Sequence, residues 1–380
     1  MGESDPRPLH YLDPGAAEFA EHLLDLSRAP RLAVDTESDP FHRYYEKVCL
    51  LQFSTEHADY FLDPLEHGLP DPIRALLSDA SRTLVIHGAD YDVRSLKHSF
   101  QLRLGKVVDT SIAAQLLGLP LIGLKNLMEA ELGIVIDKKE QRSDWGQRPL
   151  TRAQLDYARQ DTRDLLALAA RLESRLQDLG RYAWLEEECA LLLDRELKAR
   201  VFDPESFRKI KGSKALAIKG TGALRALYGW REQRAMADDV PPFRVIRNEL
   251  LLALAQLADR GPVTPVDLKS VKGVPKWIDH RVLLEVMARG ISESPPRPVS
   301  GSRPARPSAE VQKRSDKLRA ARIEWAQALA IDPGVLLPSS ALERIAELPP
   351  EQIEKLNDIQ GLTRWRAELL APRILQALAL

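Results

Sequence analysis

From residue 8 to about 110, short apolar runs alternate with amphipathic stretches, and from about 109 onward those runs vanish. This change of pattern limits the fold more than any other feature. "RPLHYL", "RLAVDTE", "VCLLQFS", "ADYFLD" and "TLVIHG" are short and rich in Val, Leu, Ile, Phe and Tyr, which predicts strands. "GAAEFAEHLLDLS", "DPIRALLSD" and "ADYDVRSLKHSF" predict helices between them. The reading is an α/β N-terminal domain, a sheet flanked by helices. Beyond it, "TSIAAQLLG", "LKNLMEAELG" and a long run from 151 to 200 predict helices alone.

A chain of 380 residues is too long for one ordinary core. A turn-rich stretch around Val201–Pro204 divides residues 1–202 from an all-α block at 203–290. Residues 291–310, "ISESPPRPVSGSRPARPSAE", are crowded with Pro, Ser, Gly and Arg and read as a flexible linker. A second small all-α block fills 311–380. The two blocks share a plan, with "ALYGWREQRAMADDVPPFRVIRNELLLALAQL" matching "ARIEWAQALAIDPGVLLPSSALERIAEL", the mark of a diverged internal repeat. Trp230 and Trp325 stand at matching places in it and read as core residues. No segment approaches eighteen consecutive apolar residues, and "MGESDPRPLH" lacks the pattern of a secretory signal, so a cytoplasmic chain with no membrane partner is expected. Cys49 and Cys189, the two cysteines, read as packed thiols.

The near-zero net charge hides an asymmetry. Residues 1–202 hold 25 Lys and Arg against 34 Asp and Glu, and residues 203–380 hold 29 against 21. An acidic half with candidate metal ligands and a basic half suited to phosphates fit a nucleic-acid enzyme.

Within the acidic half the carboxylates are not scattered. Side chains alternate along a strand, so Asp35 and Glu37 of "RLAVDTE" point the same way and both can bind one ion. Alone, a D-x-E is also what a solvated strand exit looks like. In "IHGADYDVRSLK" a strand ends and a helix starts, which makes Asp90 a helix cap and Asp92 a ligand candidate. In "LDYARQDTRDLLALAARL" Tyr157 and Asp161 lie four apart on one helical face that continues through Leu165, Leu168 and Leu172. A carboxylate on a buried stripe needs a cation or a donor, and a salt bridge to Arg142 or Arg148 would also serve.

Asp35-Thr36-Glu37, Asp92 behind "HGADYD", and Tyr157-x-x-x-Asp161 resemble the three exonuclease motifs of the DEDD superfamily in its tyrosine-bearing branch. "KKEQRSDWGQRPLTRAQLDYARQDTRDLL" is similar to the segment before the last motif of the ribonuclease D family, and the two helical blocks resemble the helicase and ribonuclease D C-terminal (HRDC) domain. Ser38 departs from the pattern, since many bacterial relatives carry Phe there. The resemblance implies a ribonuclease H-like mixed sheet and a 3′–5′ exoribonuclease that releases 5′-mononucleotides from RNA with a free 3′ end, tRNA precursors included. It also implies two divalent cations, Mg²⁺ or Mn²⁺, about 3.5–4 Å apart, which stabilise charge on the attacked phosphate and leaving oxygen and activate water. Asp35 would be the shared ligand, with Glu37 and Asp161 at one ion, Asp92 at the other, and Tyr157 orienting the water.

Several polar residues carry weaker expectations as substrate contacts. These are His42 in "SDPFHRYYEK", His87, and Arg142 in the loop before the last motif. Lys209, Lys211 and Lys214 begin the first helical block, whose 16 basic and 10 acidic residues favour phosphate contacts. Asp109 reads as a helix N-cap. Two other functions remain open from the residues alone: a DNA 3′–5′ exonuclease, and an inert RNA-binding scaffold on the same fold.

Overall fold

The computed structural model describes residues 7–137, 139–195, 201–293, 307–348 and 362–378, together with Gln352, Leu356 and Ile359. The chain divides into two compact units, one of residues 1–38, 48–197 and 306–380, the other of 39–47 and 198–305. Residues 294–306, the heart of the expected linker, lie outside the described residues.

In the first unit, six strands form one mixed sheet. They are β1 (Leu9–Tyr11), β2 (Arg31–Ser38), β3 (Val48–Ser54), β4 (Asp59–Leu62), β5 (Thr83–Ile86) and β6 (Lys106–Asp109), in the order β1-β4-β3-β2-β5-β6. β3 runs antiparallel to β2 and β4, whereas β2, β5 and β6 run parallel. Each predicted run supplies one strand. The sequence does not show β6, because the two valines of "KVVD" abut the helical "TSIAAQLL" and form no separate apolar run.

The helices of the sheet domain are α1 (Phe19–Arg28), α2 (Asp71–Ser78), α3 (Asp90–Phe100), α4 (Thr110–Leu116), α5 (Arg152–Thr162), α6 (Leu165–Asp178) and α7 (Tyr182–Leu193). Alternation along the central strands sorts the core into two layers. Ala33, Val85 and Val108 face α4 and α6 with Leu116, Leu168 and Leu172. Leu32, Val34, Leu84 and Ile86 pack with Leu26, Ile73 and Leu96 of α1, α2 and α3.

Within 151–195 the helices are three, α5, α6 and α7. The first break, at Arg163–Asp164, puts Asp161 on α5 and the leucine stripe on α6. The cause is visible at the break, where the Arg163 carbonyl accepts from Arg7 Nη1 at 2.5 Å and Thr162 hydrogen-bonds Ser54 at 2.8 Å. The single continuous face expected from the sequence is therefore corrected to two segments.

The second unit is built on α8 (Ile218–Ala237), α9 (Asn248–Arg260) and α10 (His280–Ser292) around Leu224, Leu227, Leu251, Leu254 and Leu283. It also holds the loop 39–47. Tyr44 Oη donates to Glu232 Oε1 at 2.6 Å, and Asp239 Oδ1 accepts the backbone N–H of Tyr44 and Tyr45 at 3.1 and 3.0 Å.

The last helices, α11 (Ala309–Leu329), α12 (Ser339–Glu347) and α13 (Arg364–Leu378), belong to the first unit. Leu318, Ile345, Trp365 and Ile374 share one buried cluster with Leu168, Leu172 and Leu185. Trp365 stacks on Trp184 with ring centroids 4.2 Å apart. Glu188 Oε1 accepts from Thr363 at 3.0 Å, from Trp365 Nε1 at 2.8 Å and from buried Arg366. Arg181 donates to the carbonyls of Leu116 and Leu329 at 2.8 and 2.7 Å, tying α4 to α11. Gly118, at φ +73°, lies so close to Ala330 that a Cβ there would sit 1.7 Å from its carbonyl oxygen.

Candidate active site

The site forms where β2 outruns its neighbour. Pairing between β2 and β5 covers only Arg31 to Ala33, so Asp35, Thr36 and Glu37 extend past the end of β5 with β3 on their other side. At that end β5 turns through Gly88, at φ +71°, into α3, which brings Asp92 to the same place. A crevice beyond the carboxyl ends of parallel strands is a common ligand position in α/β sheets. α5 crosses it and supplies Tyr157 and Asp161, one turn apart.

Asp35, Glu37 and Asp161 each offer a carboxylate oxygen, and these atoms lie within 4.8 Å of one another. Asp92, 5% exposed, is outside that trio, and its Oδ1 accepts from Thr36 Oγ1 at 2.5 Å. Burial, reinforced by Asp92, Asp161 and Glu37, holds the Asp35 carboxyl well above its usual range. Burial followed by repulsion from Asp161 and Asp92 pushes Glu37 up to about 9. Burial raises Asp92 to about 7 against the opposing pull of the Thr36 hydrogen bond. A set of hard oxygen ligands that resist ionisation together is what a dication relieves. The donors therefore fit a divalent metal ion.

Tyr157 is 8% exposed, and its ring lies 5.9 Å from that of buried Trp145. Burial, and then the charges of Asp161, Glu37 and Asp35, raise its hydroxyl above the ordinary tyrosine range, so it stays protonated and hydrogen-bonds Asp161.

Two local expectations are corrected. Asp90 does not cap α3 but pairs with Arg94 and Arg195, each at 2.6 Å. The backbone N–H groups of Gly88 and Ala89 are taken instead by Asp109, at 2.9 and 2.7 Å. Asp109 also caps α4 through Ser111 N at 2.7 Å, so one buried carboxylate fixes both helix starts. Arg148 does not meet Asp161 and instead pairs with Asp63. Sequence reading missed the roles of Thr36 and Asp109 toward Asp92. The capping signal at Asp109 was legible, but its bonds to a turn twenty residues earlier were not.

Of the weaker candidates, His87 Nδ1 meets Thr110 Oγ1 at 2.9 Å beside the β5–α3 turn. Arg142 ends an exposed 3₁₀ turn, Lys139–Arg142. His42 belongs to the second unit, where its Nδ1 meets Arg244 Nη2 at 2.8 Å. Lys209, Lys211 and Lys214 are exposed along the 3₁₀ turns before α8. Both cysteines are buried, and burial pushes the Cys189 thiol up to about 12. Among the described residues no helix is long and apolar enough to cross a membrane.

A family described as 3′-5′ exonuclease matches residues 15–177, and the HRDC domain matches residues 221–282 and 311–378. Ribonuclease D of Zymomonas mobilis is 32% identical over 95% of this chain and 92% of its own length. The catalytic core of RRP6 from Trypanosoma brucei is 25% identical at a TM-score of 0.67, covering 76% of this chain and 81% of that one. Escherichia coli RNase D shares the fold, with 24% identity and a TM-score of 0.61 over 95% of this chain and 96% of that one.

Proposed function

The chain belongs to the ribonuclease D family and is a 3′–5′ exoribonuclease, and we propose that Asp35, Glu37, Asp92 and Asp161 hold the two divalent cations, Mg²⁺ or Mn²⁺, that its reaction uses. The observation that carries this reading is the trio of carboxylates within 4.8 Å on β2 and α5. Bound cations supply a Lewis acid for the scissile phosphate and lower the pKa of water.

The protein's own groups do the rest. Burial favours the protonated forms of Glu37 and Asp35, so holding cations there would require these carboxyls to give up protons. Tyr157, protonated across the working range, orients the attacking water by donation and does not act as its base. Thr36 and Asp109 hold Asp92 in register with β2 through the 2.5 Å hydrogen bond and the fixed Gly88–Ala89 turn.

The substrate in this reading is RNA with a free 3′ end, 3′-extended tRNA precursors among them, cut to 5′-mononucleotides. The second unit supports RNA binding. Lys209, Lys211 and Lys214 are exposed there, and a cavity of about 510 Å³ combines exposed Phe243 with Arg244, Arg247 and Lys272. Cations that track phosphates beside an aromatic that stacks a base suit single strands.

The test digests end-labelled RNA, a 3′-phosphate-blocked copy, a matched DNA strand and a 3′-extended tRNA precursor, each with Mg²⁺, Mn²⁺ or EDTA. The reading requires stepwise release of mononucleotides from the unblocked 3′ end, abolished by EDTA. It also requires Asp35→Asn, Glu37→Gln, Asp92→Asn and Asp161→Asn each to lose about a hundredfold or more. Faster cleavage of DNA would overturn the substrate assignment, and near-normal rates in any two variants would overturn the site.

A further inference from the structure

A second cavity lies at the opposite end of β2. It measures about 720 Å³ and opens between the start of β2, the turn from β3 to β4 and the first turns of α6. Arg31, in its wall, precedes Asp35 by four residues, which along a strand is about 13 Å from the acids.

Unlike the cluster of acids, this cavity is lined by guanidinium groups as well as carboxylates. Arg7, Arg28, Arg31 and Arg163 bring four guanidinium groups to it, with His57 beside them. The carboxylates in its lining are Asp25, Glu56 and Asp164. Asp25 is engaged by the Tyr60 hydroxyl. Asp164 meets Arg7 at 3.7 Å and Arg163 at 4.0 Å, both at the outer limit of an ion pair. Arg31 Nη2 approaches Glu173 at 2.7 Å, but its Nε is buried without a hydrogen-bond partner. Arg28 stands exposed at the cavity, with no hydrogen bond or ion pair to a described residue. A buried guanidinium N–H without an acceptor is costly, and a phosphate supplies acceptor oxygens in the geometry that guanidinium forks match.

The opposite wall is apolar, formed by Leu166, Ala167 and Ala170 on α6. The volume falls within the roughly 300–1,000 Å³ typical of small-molecule sites, which suits a compact ligand better than a continuous strand. We propose that this cavity is a binding site for a nucleoside 5′-monophosphate, with the phosphate on Arg28 and Arg31 and the base against α6, separate from the active site. The proposal rests on the exonuclease reading only in that such a nucleotide is the enzyme's product. The geometry stands without it.

The experiment titrates the full-length protein with AMP, adenosine or inorganic phosphate by calorimetry in EDTA, which withholds the cations that would draw a phosphate to the acidic site. Two variants accompany it, Arg28→Glu to reverse the anchoring charge and Ala167→Trp to fill the cavity. AMP is expected to bind with one-to-one stoichiometry, at least tenfold more tightly than adenosine or phosphate. Arg28→Glu should weaken it at least tenfold and Ala167→Trp should abolish it. Both variants should keep the wild-type circular dichroism spectrum and digest short RNA at the wild-type rate, which separates this site from the catalytic one. No AMP binding at millimolar concentration, unchanged binding in both variants, or adenosine or phosphate binding as tightly as AMP would each overturn the proposal.

Discussion

Glu37→Gln in the metal-free enzyme tests whether the clustered carboxylates are under electrostatic strain. The unfolded chain releases the Glu37 proton near 4.5, whereas the native site keeps it until about 9. A folded pKa raised above the unfolded value means that the native state holds the extra proton between those limits, so stability falls as pH rises. One extra native proton gives a slope of about −1.4 kcal/mol per pH unit, or about 4 kcal/mol between pH 5 and pH 8. At about 2–4 °C per kcal/mol for a domain of this size, the melting temperature should drop by on the order of 10 °C over that range. Glutamine has no proton to lose. The variant should melt like the wild type at pH 5 in EDTA and well above it at pH 8, keeping only the slope imposed by Asp35 and Asp92. Mn²⁺ should stabilise the wild type most at pH 8 and the variant far less. Thermal melts by calorimetry from pH 5 to pH 8 decide the matter. A wild-type melt that is flat with pH in EDTA, or a variant that declines as steeply, would refute the reasoning.

Tyr157→Phe should slow the chemical step about ten- to a thousandfold, the span of one orienting group, while calorimetry finds metal affinity unchanged because the ring still packs on Trp145. Asp109→Asn should lower kcat on the order of ten- to a hundredfold with KM nearly constant, since an amide nitrogen turned toward Gly88 N or Ala89 N shifts the turn that carries Asp92. Equal losses in kcat and in folded fraction would instead make Asp109 a purely structural residue. Gly118→Ala should expose 307–378 to limited proteolysis, because the new methyl group collides with the Ala330 carbonyl. Gly133→Ala is the control: it has the same backbone sign, φ +72°, but open space around it, and it should show only the backbone penalty of about 1 kcal/mol.

The sequence carried the sheet wherever a strand has an apolar run of its own. β1 to β5 could be read from such runs, but β6, two valines between Lys106 and Asp109, could not, because its identity comes from its pairing with β5. The acids were legible for a related reason. Strand and helix periods place Asp35 with Glu37 and Tyr157 with Asp161, and those relations are local. What brings the pairs together is not local. The outrun of β2 past β5 and the turn held by Asp109 depend on contacts across the chain, and the misreading of Asp90 as a cap followed from not seeing that its turn was already satisfied. The charge balance of 311–380, 10 basic against 9 acidic residues, gave no hint of its place in the first unit. That place rests on Trp365, Arg366 and Thr363 meeting a helix some 175 residues earlier.

This discontinuity ties the enzyme's maturation to the order of its synthesis. Residues 48–197 leave the ribosome with Trp184 and Glu188 on a helix whose partners, Thr363 to Arg366, have not been made. At about 5–20 residues per second the gap of roughly 165 residues takes on the order of 10–30 s. During that interval the nascent chain carries all four acids and Tyr157 on a unit with one apolar face uncovered. A message broken before codon 363 leaves its product in that state permanently, with the chemistry encoded but the unit that supports it unfinished, and such a product is a ready target for proteolysis.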